Sequence, residues 1–178
     1  KQVLRRFDAA MDEDDYINVI ADKTAALYEA AGELGALLAG ASDARVRAMA
    51  GYGRAIGVAF QIIDDCLDLV GQEAVMGKTL TTDLDKGKLT LPIIQFLKQA
   101  EPEIRETVLA LIGDEGVTRP EKRERVLALL RDRGAVEYAY GRANAEIANA
   151  KGLLRDLDPS PARESLERLA DFVVSRQI

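Results

Sequence analysis

The chain has 178 residues, of which 48% are hydrophobic and 30% charged, enough apolar mass for one domain, or a large part of one, with a substantial core. A formal net charge of −6 argues against a general nucleic-acid surface. The sequence holds no histidine and one cysteine, Cys66, which excludes an intrachain disulfide, Ser-His and Cys-His nucleophilic sites and His-ligated zinc.

The opening Lys1-Gln2-Val3-Leu4-Arg5-Arg6 is too charged for a signal peptide and does not begin with Met. Residues 1–7 therefore read as the last turns of an upstream helix, cut from a longer protein. The acidic run Asp12 to Asp15 opens a helical pattern in which Tyr16, Ile17, Ile20, Thr24, Leu27, Tyr28 and Ala31 recur at helical spacing. One continuous helix to about Leu38, ending near Gly40, is predicted, with the acids as an N-cap and first turn. Asp43 is the expected N-cap of a second, long helix from Ala44 to about Val70. Its Ile56-Gly57-Val58-Ala59-Phe60-Gln61-Ile62-Ile63 stretch is apolar on nearly every face, the mark of a buried helix. Gly51, Gly53 and Gly57 weaken it locally but allow a neighbouring helix or ligand to approach closely.

The segment from Gly71 to Thr90 reads as polar and irregular, a length that is functional or disordered in a compact domain. Helical patterns resume at Leu91–Ala100, Glu103–Ile112, Glu121–Arg133, Val136–Leu157 and Ala162–Arg176. Pro92, Pro120 and Pro161 fall near helix starts, where the missing N–H does no harm. No strand or internal repeat is apparent, and the aromatic content of 5% with few β-branched runs also favours helices. No apolar run reaches the roughly 20 residues needed to span a bilayer. With the lone thiol, that makes a reducing cytoplasmic location the expectation.

Chemistry concentrates in Phe60-Gln61-Ile62-Ile63-Asp64-Asp65-Cys66-Leu67-Asp68. On a helix, Asp64, Asp65 and Asp68 turn toward one face, with Gln61 on the same stripe. Like charges at that spacing repel, and burial makes the repulsion costly unless a cation lies between them. Oxygen donors without His or Cys select a hard ion. Magnesium, which keeps waters and takes ligands from substrate phosphates, is the natural choice. The alternative is a solvated acidic helix end, which puts the wrong sign of charge at a helix C-terminus. Lys78, Lys86 and Lys88 follow on a Gly- and Thr-rich loop that is either simply solvated or able to close on a phosphate. Lys23, beside Thr24, sits mid-helix, where an isolated lysine is normally solvated. Cys66 reads as a packing residue, since flanking acids disfavour a thiolate.

The run Gly57 to Asp68, then Gly77-Lys78, then Thr82-Asp83-Leu84-Asp85-Lys86-Gly87-Lys88-Leu89-Thr90-Leu91-Pro92, resembles the trans-type polyprenyl diphosphate synthases. DDCLD corresponds to their second aspartate-rich motif, DDxxD, and Lys23-Thr24 to their KT element. The resemblance covers essentially residues 1–178, as the carboxy-terminal part of a single synthase domain. It implies an all-α fold, an antiparallel helix bundle around a central cavity, here incomplete on its amino-terminal side, and a homodimer. It implies condensation of an allylic diphosphate with isopentenyl diphosphate to a longer linear product, with a long-chain product as the expectation. By the same resemblance Asp64, Asp65 and Asp68 would hold Mg2+ against the allylic diphosphate. Lys23, Lys78 and Lys88 would contact its oxygens, and Lys23, Thr24 and Gln61 would face the reacting centre. The released diphosphate would take the proton, which suits a chain without histidine. The family's first aspartate-rich motif and its isopentenyl diphosphate site would lie upstream of Lys1, so the 178 residues alone are expected to be inactive. A terpene cyclase or head-to-head synthase, and a non-catalytic partner subunit, remain as other readings; the intact DDCLD argues against the last.

Overall fold

A computed structural model describes residues 7–71, 82–131 and 133–176. The fold is all-α, as expected, with no strand among the described residues. Helix α1 spans Glu13–Ile20. Asp12 caps it, its carboxylate accepting the Asp15 N–H at 2.8 Å, while Glu13, Asp14 and Asp15 complement the positive end of the helix dipole. The helical run reaches Leu38 as predicted, but it is not a uniform α-helix. Ala21–Ala25 make a π-helical turn, in which the Ala26 N–H bonds the Ala21 carbonyl, before α2 (Ala26–Leu38). A π turn inserts one residue and rotates all that follows by roughly 100°. Beyond the turn the straight-helix stripe that begins at Tyr16 and Ile20 is divided: Leu27 is 76% exposed and Ala31 is exposed, Thr24 and Tyr28 are half-buried, and Ala21, Ala25 and Ala36 are buried.

Helix α3 is Asp43–Val70. Its cap is Ser42, one residue before the predicted Asp43: the Ser42 carbonyl accepts the Val46 N–H at 2.9 Å, which leaves Asp43 in the first turn. There follow a short helix α4 (Thr82–Asp85), then α5 (Leu91–Gln99), α6 (Pro102–Gly113), α7 (Arg119–Arg131), α8 (Ala135–Leu153) and α9 (Pro161–Ser175). Pro92, Pro102 and Pro161 sit in the first turn of their helices. The segment predicted to be irregular up to Thr90 thus contains a helix, α4, and an ordered turn after it.

The chain divides into two compact units. One contains Lys1–Val19 with Asp64–Ala139, the other Ile20–Ile63 with Tyr140–Gln177. In the first, α4 packs on α6, and α7 packs on both α5 and α6. Leu84, Leu91, Ile93, Phe96 and Ile112 form its buried apolar centre. Lys122 is buried in this unit and donates to the Ile112 carbonyl at 3.0 Å, placing a cation at the negative end of α6.

In the second unit the apolar stretch of α3 is buried as predicted: Ile56, Val58, Ala59, Ile62 and Ile63 are all at or below 3% exposure. The glycines have the expected use. A Cβ on Gly53 would lie 2.1 Å from the Tyr28 carbonyl oxygen, and one on Gly57 2.5 Å from Ala25 Cα, so the backbones are in contact there. Gly53→Ala should therefore lower stability by about 3 kcal/mol, the upper end of ordinary overpacking, because backbone has to move. Gly141→Ala on α8, where a Cβ meets no atom within 4 Å, should raise stability by about 0.5–1 kcal/mol. Urea unfolding of the two variants measures the difference, and equal effects would refute the close approach.

Candidate active site

The acidic stretch occupies the last two turns of α3. Asp65 and Asp68 are buried at 1% and 7% exposure, and Asp64 is half-buried. Both carboxylate oxygens of Asp65 have donors in the first unit. The Tyr16 hydroxyl donates to Oδ2 at 2.8 Å, and Lys88 Nζ donates to Oδ1 at 2.7 Å. The same Nζ donates to Asp83 Oδ2 at 2.7 Å, and the Asp83 N–H donates to Asp68 Oδ2 at 3.2 Å. Tyr16, Asp65, Lys88, Asp83 and Asp68 thus form one continuous hydrogen-bonded group.

Local structure explains how Lys88 reaches it. At the end of α4 the Lys88 N–H bonds the Asp83 carbonyl at 2.9 Å and the Gly87 N–H bonds the Leu84 carbonyl at 3.0 Å. This is a Schellman cap, which needs a left-handed residue at Gly87, found at φ +67°. The cap turns Lys88 back over Asp83. Glycine directly before the lysine in Asp83-Leu84-Asp85-Lys86-Gly87-Lys88 is therefore a backbone requirement of the site.

The charges respond to this environment. Burial opposes the Lys88 ammonium, but Asp65 and Asp83 outweigh it and hold its pKa above the ordinary lysine value. Burial pushes the Asp65 carboxyl up, against the pull of Lys88. Burial and then the Asp65 charge push the Tyr16 hydroxyl far up, so it stays protonated and donating. Cys66 is fully buried and its thiol is pushed up to about 12 by burial and Asp65, which agrees with a packing role.

Two arginines of α7 support the surroundings, one through main-chain carbonyls and one through a side-chain ion pair. Arg123 Nε donates to the Leu69 carbonyl at 2.8 Å and its Nη2 donates to the Gly71 carbonyl, closing the negative end of α3 just past Asp68. One turn earlier, Arg119 pairs with Asp85. In the second unit, the Thr24 hydroxyl donates to Gln61 Oε1 at 2.7 Å, with Gln61 8% exposed. Lys23 is exposed on the π turn, and π turns recur at functional sites.

The structure therefore brings Asp65, Asp68 and Lys88 into one hydrogen-bonded group and joins Thr24 to Gln61. Lys78 lies outside the described residues. Sequence reasoning assigned no role to Tyr16, Asp83 or Arg123. Asp83 and Lys88 carry a local signal, opposite charges flanking a glycine turn, but Tyr16 and Asp65 are 49 residues apart and Arg123 acts on main-chain oxygens.

The donor set suits a hard divalent cation: it is all oxygen, Asp64, Asp65 and Asp68 fall within the last two turns of α3, and the one ammonium in the hydrogen-bonded group, Lys88, answers Asp65 and Asp83 only. Among the described residues no group of three or more Asp, Glu, Cys or His side chains closes a cage on its own. Magnesium held by one or two carboxylates and completed by phosphate oxygens does not need one.

The polyprenyl synthetase family model matches residues 1–130. The chain is 38% identical over 175 residues to the short chain isoprenyl diphosphate synthase of Methanothermobacter thermautotrophicus, covering 96% of this chain and 52% of that protein. It is 35% identical to the octaprenyl diphosphate synthase of Escherichia coli, covering 98% and 54%. The chain thus spans about half the length of the curated relatives it matches. Among solved structures, the decaprenyl diphosphate synthase of Rhodobacter capsulatus superposes with a TM-score of 0.89 at 36% identity, over 98% of this chain and 54% of that one. A polyprenyl synthase of Caulobacter crescentus complexed with calcium and isoprenyl diphosphate gives 0.91 at 34% identity, over 99% and 54%. With most of its length matched by the family model and its helices superposing on those of solved synthases, the chain belongs to the polyprenyl synthetase family.

Proposed function

We propose that the full-length protein is a trans-prenyltransferase that joins an allylic diphosphate to isopentenyl diphosphate, forming a longer linear polyprenyl diphosphate. The observation that carries this reading is the acidic end of α3, where buried Asp65 and Asp68 share a hydrogen-bonded group with Lys88 and Asp83. Mg2+, when bound, neutralises diphosphate oxygens and makes the diphosphate a competent leaving group. Asp64, Asp65 and Asp68 are the residues that would hold it, and the calcium in the Caulobacter crescentus complex supports a divalent ion.

Lys23, Lys78 and Lys88 bind the diphosphate oxygens in this proposal. The allylic C–O bond breaks with its electron pair leaving on diphosphate, and the isopentenyl double bond forms the new C–C bond. The proton then lost from the isopentenyl unit passes to the released diphosphate. Thr24 and Gln61, held to each other by their 2.7 Å bond, orient oxygen dipoles toward the allylic cation. The apolar faces of α3 exclude water that would otherwise trap it.

The proposal includes a long-chain product, a homodimer and a cytoplasmic location. Likeness to the octaprenyl and decaprenyl enzymes supports the first, while the short-chain relative weighs against it. No helix of the described residues is long and apolar enough to cross a membrane.

The test is incubation of the full-length protein and Mg2+ with an allylic diphosphate, with and without labelled isopentenyl diphosphate. Label should enter a linear product whose length chromatography reads. Allylic diphosphate converted equally without isopentenyl diphosphate would indicate a cyclase or head-to-head enzyme, and no conversion at all would indicate a non-catalytic subunit.

A further inference from the structure

Tyr16 is 1% exposed, and its hydroxyl is spent on Asp65 Oδ2 at 2.8 Å. A phenylalanine would fill the same space without burying a polar oxygen, so packing alone gives no reason for the hydroxyl. Its geometry does. Lys88 holds Asp65 Oδ1 and Tyr16 holds Oδ2, so a donor on each oxygen fixes the rotation of the carboxylate. The lysine so anchored also holds Asp83 Oδ2, and the Asp83 N–H holds Asp68 Oδ2. The chain of contacts runs from a hydroxyl on α1 to a carboxylate at the end of α3.

We infer that Tyr16 is a positioning residue of the acidic site: by locking Asp65 it sets, through Lys88 and Asp83, the orientation in which Asp68 and its neighbours accept a divalent cation. This rests on the prenyl diphosphate reading given above. Partners that orient ligating groups typically change metal affinity by about 10–100-fold when removed.

The experiment measures binding of inorganic pyrophosphate to the full-length protein by calorimetry across a magnesium titration, with melting temperatures recorded without metal. Tyr16→Phe keeps the ring and removes only the O–H. It should raise the half-saturating magnesium concentration about tenfold while the metal-free melting temperature moves by only a few degrees. Asp65→Asn should raise it as well, and adding Tyr16→Phe to that variant should give no further shift, because the hydroxyl acts through the carboxylate. A lowered melting temperature with an unchanged magnesium requirement would mean a purely structural tyrosine and overturn the inference, as would fully additive shifts in the double variant. Asp64→Asn separates the two levels. If it abolishes magnesium-dependent pyrophosphate binding while Tyr16→Phe leaves the requirement untouched, only the positioning role falls. If it binds with the wild-type requirement, the metal reading falls and the role of Tyr16 with it.

Discussion

Asp64→Ala lowers turnover of the full-length protein by about 10²–10³-fold, the scale on which a single preorganised electrostatic group acts, and leaves the melting temperature within a few degrees of wild type. The two halves of this expectation have one cause. Asp64 adjoins Asp65 and lies one helical turn from Asp68 on α3, and like charges at that spacing weaken a helix. Removing one relieves repulsion and offsets whatever local contact is lost. Asp64 is half-buried, unlike its neighbour Asp65, so its loss opens no sealed cavity. On the proposed function, what disappears is a ligand for the ion that would neutralise the leaving diphosphate. Steady-state kinetics with a thermal melt decides: a rate near wild type would remove Asp64 from the metal site, and a collapsed melting temperature would make it a structural residue.

Lys88→Met has the opposite character, with stability affected first. Lys88 Nζ sits between Asp65 and Asp83 at 2.7 Å from each, with its side chain 13% exposed. Removing the cation leaves the Asp65 carboxylate buried at 1% exposure without its main compensation. Breaking a buried pair from one side costs about 3–5 kcal/mol, and that loss is expected at pH 7. The pH dependence follows from linkage. Burial already pushes the Asp65 carboxyl up, and Lys88 is the chief influence pulling it down, so the variant's folded carboxyl holds its proton to higher pH than the unfolded one. A group with a raised folded pKa stabilises below the unfolded value and loses that contribution as pH rises through the folded value. The defect should therefore shrink on going from pH 7 toward pH 4–5. Urea unfolding at pH 7 and pH 5 measures it. The double variant Asp65→Asn/Lys88→Met, which buries no lone charge, should recover much of the loss. A defect of equal size at both pH values would mean that Asp65 is not the group left uncompensated.

Much of the site could be read from the chain because its signals are local. Three acids within five residues, set in the apolar second half of a helix, conflict with burial unless a cation or a cationic side chain answers them. The structure supplies one such answer in Lys88, the lysine placed by the glycine turn after α4. The close approach of helices at Gly53 and Gly57 was equally legible, since small residues at helical spacing within a buried helix have few other uses. The partner of Asp65 on α1 was not legible. Tyr16 fits the apolar periodicity of that helix just as a core phenylalanine would, and only its hydroxyl, invisible to a pattern of hydrophobic spacing, gives it a second purpose. Arg123 escaped notice because main-chain carbonyls at a helix end carry no sequence of their own.

By itself the sequence determined that the chain is helical, that α3 is buried over its apolar stretch, and that a group of carboxylates lies at the end of that helix with lysines following. Each of these is a matter of residue type and of spacings within a few turns, where propensity, periodicity and charge repulsion act directly. Tertiary structure alone decided that a π turn at Ala21–Ala25 interrupts the α-helical register and that Leu27 beyond it is exposed, that Asp65 is clasped by Tyr16 and Lys88 together, and that Thr24 meets Gln61. Those outcomes depend on which residues distant in the chain compete for the same space and the same hydrogen bonds, and that competition is settled only when the helices pack.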